Sequence, residues 1–213
     1  MLKLVFVLAV AVLINTGCSK MYYAGMESVG IHKRDIMVDR VEDVKESQED
    51  AQKEFKSALE QFGSLVKLED TDLKAAYEEF NDEYEDAKEA ADEVSENIDK
   101  LEDVSIALFD EWEEEITQYS NQKLKRQSQK KLRETRRKYD QMMKSMRQAE
   151  KSMQPVLAAL HDNVLMLKHS LNAQAIGALK GEFASLKGDI KTLINSMNRS
   201  IKESDAFLAS IEQ

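Results

Sequence analysis

The sequence predicts an all-α protein: an elongated antiparallel helical bundle or coiled coil of four long helices, running up-down-up-down. Three observations predict it. Apolar residues recur at alternating spacings of three and four across most of the chain, the pattern of helices packed at shallow angles. One proline and seven glycines in 213 residues, with 33% charged and 7% aromatic side chains, match the composition of long helices. Clusters of polar turn residues break the pattern at three places, and short connections make neighbouring helices antiparallel.

The first helix is expected over about 31–66. Its series is Val41, Val44, Gln48, Ala51, Phe55, Ala58, Phe62 and Leu65. Leu68-Glu69-Asp70-Thr71-Asp72 ends it, and Asp70, Thr71 or Asp72 can cap the second helix. That helix is expected over about 72–119, with the series Tyr77, Phe80, Tyr84, Ala87, Ala91, Val94, Ile98, Leu101, Ser105, Leu108 and Trp112. Ser120-Asn121-Gln122 separates it from a third helix over about 123–171, whose series is Leu132, Thr135, Tyr139, Met142, Met146, Ala149, Met153, Val156, Leu160, Asn163 and Leu167. The phase continues through Pro155, so a kink is expected there and not a helix end. Asn172-Ala173-Gln174 precedes the fourth helix, about 175–212, with Ile176, Leu179, Phe183, Leu186, Ile190, Leu193, Met197, Ser200, Ser204, Phe207 and Ile211. Leu59, Val66, Leu157, Val164 and Leu171 widen the stripes, which favours packing within one chain.

Helices two and three are each nearly 50 residues, on the order of 70–75 Å. In an up-down-up-down order they outrun the shorter first and fourth helices by roughly two to three turns. A hairpin tip protruding over about residues 108–133 is therefore expected within one bundle domain, 31–213. The tip is strongly charged. Asp110, Glu111, Glu113, Glu114 and Glu115 stand on the outgoing arm, and Lys123, Lys125, Arg126, Lys130, Lys131 and Arg133 on the returning one. Opposite charges on facing flanks favour this pairing, each exposed pair by well under about 1 kcal/mol.

The net charge of −10 is unevenly spread. Residues 35–118 hold 30 acidic and 8 basic side chains, whereas residues 119–151 hold 12 basic and 3 acidic. A local basic patch can bind anionic surfaces even in an acidic protein. Its candidate contacts are Lys123, Lys125, Arg126, Lys130, Lys131, Arg133, Arg136 and Arg137. The plainer reading is a solvated face partly paired with acids.

The N-terminus carries an address. Met1, Lys3, the 11-residue apolar run Leu4–Ile14 and the small pair Thr16-Gly17 read as a signal peptide over 1–17. Cys18 is the only cysteine, and it follows directly. That is where bacterial lipoproteins are cleaved and acylated, so Cys18 is the expected lipidation site and 18–30 a tether. Asn15 stands where such signals usually carry an aliphatic residue. The alternative is ordinary secretion with Cys18 a free thiol. Ser19 in place of Asp points to the outer membrane of a Gram-negative envelope, facing the periplasm. Tyr22 and Tyr23 suit a membrane interface.

Other candidates read as ordinary bundle residues. No metal site is expected. His161 and His169 are eight apart, too far for simple chelation from one helix. Met142, Met143, Met146 and Met153 suit a soft copper site, but three of the four lie on the heptad series, which favours core filling. Successive carboxylates of Glu111 to Glu115 point away from one another, which disfavours calcium. Gly177, Gly181, Ala184 and Gly188 give the fourth helix a small-residue side, expected to allow close helix approach.

The stretch Tyr22-Tyr23-Ala24-Gly25-Met26-Glu27-Ser28-Val29-Gly30-Ile31, with its continuation to Val41, resembles the N-terminus of a proteobacterial family of predicted lipoproteins, domain of unknown function 2959. Phe55-Lys56-Ser57-Ala58-Leu59-Glu60-Gln61-Phe62 is similar too. The resemblance covers the chain after Cys18. It implies a Gram-negative source and a helical exported domain, and it implies no activity or site.

The expected function is that of a non-enzymatic envelope lipoprotein, a bundle that docks an unknown envelope protein or itself. The alternative is a module that binds anionic envelope lipid through the basic arm. No nucleophile with its base, no cofactor, no nucleic-acid partner and no small-molecule substrate is expected.

Overall fold

The 3-4 apolar repeat folds as four helices. A computed structural model describes residues 32–67, 73–169 and 173–211. They form α1 (Lys33–Leu65), α2 (Leu73–Gln118), α3 (Gln122–His169) and α4 (Ala173–Ile211), with ends one or two residues from the expected ones. The signal peptide 1–17, Cys18, the tether 18–30 and the proposed caps Asp70, Thr71 and Asp72 lie outside the described residues. Among the described residues there is no strand, and no helix is long and apolar enough to cross a membrane.

Local chemistry sets the helix ends. The carbonyl of His32 accepts from the N–H groups of Asp35 and Ile36 at 2.9 and 3.2 Å, opening α1. At its end Val66 donates to Phe62 and Lys67 to Ser64, so the last turn tightens. Asn121 caps α3: its Oδ1 accepts from the N–H of Lys123 at 2.9 Å and of Leu124 at 3.3 Å. α3 runs on through Pro155, which is exposed.

The helices divide between two compact units. The first holds residues 32–41 and 99–137, and the second holds 42–98 and 138–213. In the first unit the start of α1 lies against α2, with Lys33 Nζ 2.9 Å from Glu111 Oε1. The hairpin of α2 and α3 closes over Phe109, Ile116, Leu132 and Thr135, all buried. Trp112 is half-buried and donates its indole N–H to Ser128 Oγ at 2.9 Å.

The second unit is a four-helix bundle. α1 meets α4 antiparallel, through Lys45 to Asp205 at 2.7 Å and Gln52 Nε2 to Asn198 Oδ1 at 3.2 Å. Burial opposes the charge on Lys45, but its hydrogen bonds to Asp205 and Glu42 outweigh that and hold its pKa above the usual value. α3 meets α4 through Tyr139 and Phe207, ring centroids 6.1 Å apart, and through Gln141 and Glu203 at 2.9 Å. The anticipated series is buried almost throughout, and Met142, Met143, Met146 and Met153 fill the core with it.

Phe62 anchors one end of this core. Its ring stacks on Phe80 at 5.0 Å and meets Phe183 edge-on at 5.8 Å. A Cβ on the adjacent Gly63 would lie 3.0 Å from the Phe183 ring, so glycine is what lets α4 approach α1 here. The close approach expected at Gly177, Gly181, Ala184 and Gly188 does not occur. All four are exposed, and among the described residues nothing lies within 4 Å of where a Cβ would stand on the three glycines. Ile176, Leu179, Leu186 and Ile190 turn inward, which puts these small residues on the opposite side of α4.

The core also contains polar residues on the heptad phase. Ser204 Oγ bonds the Ser200 carbonyl at 3.0 Å. Gln48 is fully buried, and among the described residues no protein group bonds either of its amide atoms or the Ser200 hydroxyl. An unmet buried amide costs about 1–3 kcal/mol. Gln48→Leu should therefore raise the thermal midpoint by several degrees in a melt followed by circular dichroism. A lower midpoint would show that the amide's polarity stabilises the core.

Candidate functional site

The basic arm is the N-terminal part of α3, and a helix turns about 100° per residue. Leu132, Thr135 and Tyr139 point inward. Lys123, Arg126, Lys130, Arg133 and Arg137 follow one another at spacings of three and four, and this phase places them together on the side away from the buried residues. All five are exposed. The stripe is about 21 Å long at 1.5 Å per residue. Lys131 is exposed off the stripe, whereas Lys125 and Arg136 are half-buried beside the seam.

Charge pairing across the hairpin is sparse. Arg136 reaches Glu113 at 2.7 Å and lays its guanidinium 4.9 Å over the Phe109 ring. Lys130 lies 3.8 Å from Glu134 on its own helix. Among the described residues, Lys123, Arg126, Lys131, Arg133 and Arg137 have no carboxylate within ion-pair distance. The facing-flank pairing expected from sequence is thus not made by those cations, and Glu111 turns to Lys33 instead. The seam explains this. With Trp112 and Ile116 facing α3, Asp110 and Glu114 leave α2 on its outer side, as the cationic stripe leaves α3 on its own. Between the helices lies an open groove of about 330 Å³, lined by Glu113, Ile116, Thr117, Lys125, Gln129, Leu132 and Arg133.

Helix stability does not account for these cations. Lys123, Lys125 and Arg126 sit in the first turns of α3, and its first turn carries no acid. The positive end of the helix dipole disfavours cations there by about 0.3–1 kcal/mol each.

In the second unit, Asp43, Glu46, Ser47, Asp50, Glu93 and Asn97 line an acidic groove between α1 and α2, about 360 Å³ in volume. Among the described residues no group of three or more His, Cys, Asp or Glu side chains is placed to hold a metal ion. His32, His161 and His169 are exposed, and His161 stacks on Tyr84 at 5.4 Å. Burial raises the pKa of the Tyr84 hydroxyl.

The matching family model spans residues 22–211, nearly the whole chain. The chain belongs to DUF2959, a family of proteins of unknown function. This DUF2959 member matches no curated protein. Its candidate site therefore rests on the charge geometry of the chain itself.

Sequence reading named the arm's cations but not their common face. The same 3-4 spacing that revealed the core, counted over Lys and Arg, finds it. It also missed Ile106, exposed on α2.

The acidic side yields a test. Burial, then the carboxylates of Asp86, Glu83 and Asp50, hold the Glu54 carboxyl above its usual pKa. A raised carboxyl favours folding while protonated, and that contribution is lost as pH rises through its folded pKa. Glu54→Gln should raise the thermal midpoint at neutral pH, and the gain should vanish below the carboxylate range. A lower midpoint at neutral pH would show that the charge stabilises α1 against α2.

Proposed function

We propose that this DUF2959 member is a non-enzymatic interaction bundle of the cell envelope. It is exported, held through a lipid on Cys18 at the outer membrane facing the periplasm, and engages a partner along the outer face of α3. One observation carries the reading. Lys123, Arg126, Lys130, Arg133 and Arg137 form an exposed stripe that the fold itself leaves largely unneutralised, and a partner supplies the missing anions. The N-terminal sequence supports the anchor, through the apolar run before Cys18.

The test combines fractionation with crosslinking in intact cells. The wild-type chain should sediment with membranes, carry acyl chains on its mature N-terminus and trap a neighbour through a photo-crosslinker at position 126. Cys18→Ala should remain unprocessed or become soluble. Soluble, cleaved and unlipidated protein in both cases would contradict the anchor, and no trapped neighbour would contradict the interaction role.

A second reading, contact with anionic lipid headgroups, is favoured by the ends of the hairpin helices. Tyr119 and Leu124 are 41% and 47% exposed beside Lys123 and Arg126. Such apolar side chains suit the headgroup boundary next to cations that attract phosphate. The Cys18→Ala chain should co-sediment with vesicles containing anionic lipid, less at high salt. Equal partitioning to neutral vesicles would rule this reading out.

A further inference from the structure

Ile106 is the most exposed large apolar side chain among the described residues, at 56%. It lies on the outer side of α2, three residues after Asp103 and four before Asp110, with Glu114 one turn further. All three carboxylates are exposed. Among the described residues none of them has a cation within ion-pair distance. An acidic face about 16 Å long with an aliphatic residue within it has a definite complement. Arginine and lysine lay their methylene stems over apolar surface while their charged heads reach carboxylates. The matching surface is a helix with cations at three-four spacing over a similar length. The stripe Lys123 to Arg137 of α3 is such a surface, about 21 Å long. In the first unit the two faces lie on the outer sides of α2 and α3, with Arg133 alone of the stripe reaching the edge of the groove between them, so they do not meet within one copy.

We infer that the cationic stripe of α3 in one copy docks along the acidic face of α2 around Ile106 in a second copy. This rests on the reading of the chain as an interaction bundle, and it names the partner. The contact is heterologous, using a different surface on each copy, so it closes into a ring or propagates. Exposed ion pairs contribute little each, so the association is weak and falls as salt screens it.

Sedimentation velocity of the full chain in a neutral detergent tests this. Wild type should associate as concentration rises at low salt and dissociate at high salt. Arg126→Glu/Arg133→Glu/Arg137→Glu and Asp103→Lys/Asp110→Lys/Glu114→Lys should each stay monomeric with unchanged helical circular dichroism. Mixed together, the two should associate again, because acidic meets basic once more. Ile106→Ser should weaken association without altering charge. It decides the matter if either triple variant misfolds, since unchanged association would then overturn the inference. A wild type monomeric at every concentration overturns it, as does a folded mixture that fails to associate. A monomeric chain crosslinked at position 126 to a different envelope protein overturns this inference alone. A monomeric chain with no neighbour and no vesicle binding overturns the underlying reading as well.

Discussion

The apolar seam at three-four spacing is the constraint on which the rest of the structure depends. Once Phe55, Phe80, Met146 and Leu193 must face inward, the angle at which every other side chain leaves its helix is set. Burial of a large apolar side chain stabilises by about 1.5–3 kcal/mol, while an exposed ion pair contributes under about 1 kcal/mol. The seam therefore decides which faces meet, and charge follows. The same hierarchy carries the Gln48 amide and the Ser200 hydroxyl into the core with no bonding partner among the described residues, because their positions on the heptad leave no other direction.

Consequences for charge run along the whole chain. Acidic side chains gather on α1 and α2, where Glu54 is pushed towards its neutral form by burial and by neighbouring carboxylates. Basic side chains gather on the outer face of α3, where Asn121 provides the cap that the helix dipole favours and the following lysines oppose it. A fold optimised for its own stability would exchange some of these charges. A partner bound along the outer faces would offset that cost. The long helices act as a frame that holds charge in a fixed linear pattern.

Much of this was legible in the sequence, for a physical reason. Helical periodicity is a local property, so the four helices and most buried positions from Val41 to Ile211 follow from counting, whereas Ala76, Val104, Phe109, Ile116 and Leu208 are buried off the counted series. Tyr77, Leu108, Trp112 and Phe183 belong to the same series yet remain half-exposed. Two expectations failed because they needed register between helices. The glycines of α4 read as a packing face, but only the position of Phe183 against α1 shows that Gly63 is the close-approach glycine. The tip's acids and bases read as partners, but the angle of each helix about its own axis turns Asp110, Glu114, Lys123, Arg126 and Lys130 outward, while Glu113 pairs with Arg136 and Glu111 with Lys33. Contacts such as Arg136 over Phe109, or His161 on Tyr84, join residues far apart in sequence and carry no local signature.

The most direct test of the central claim is the salt dependence of thermal unfolding, followed by circular dichroism from low to physiological ionic strength. If the apolar seam aligns the helices and leaves like charges crowded, screening relieves more repulsion than attraction, and the midpoint rises with salt. A midpoint that falls as salt is added would show that ion pairs hold the helices together. The outer stripe of α3 would then be part of the fold's own charge balance and not a surface kept for a partner.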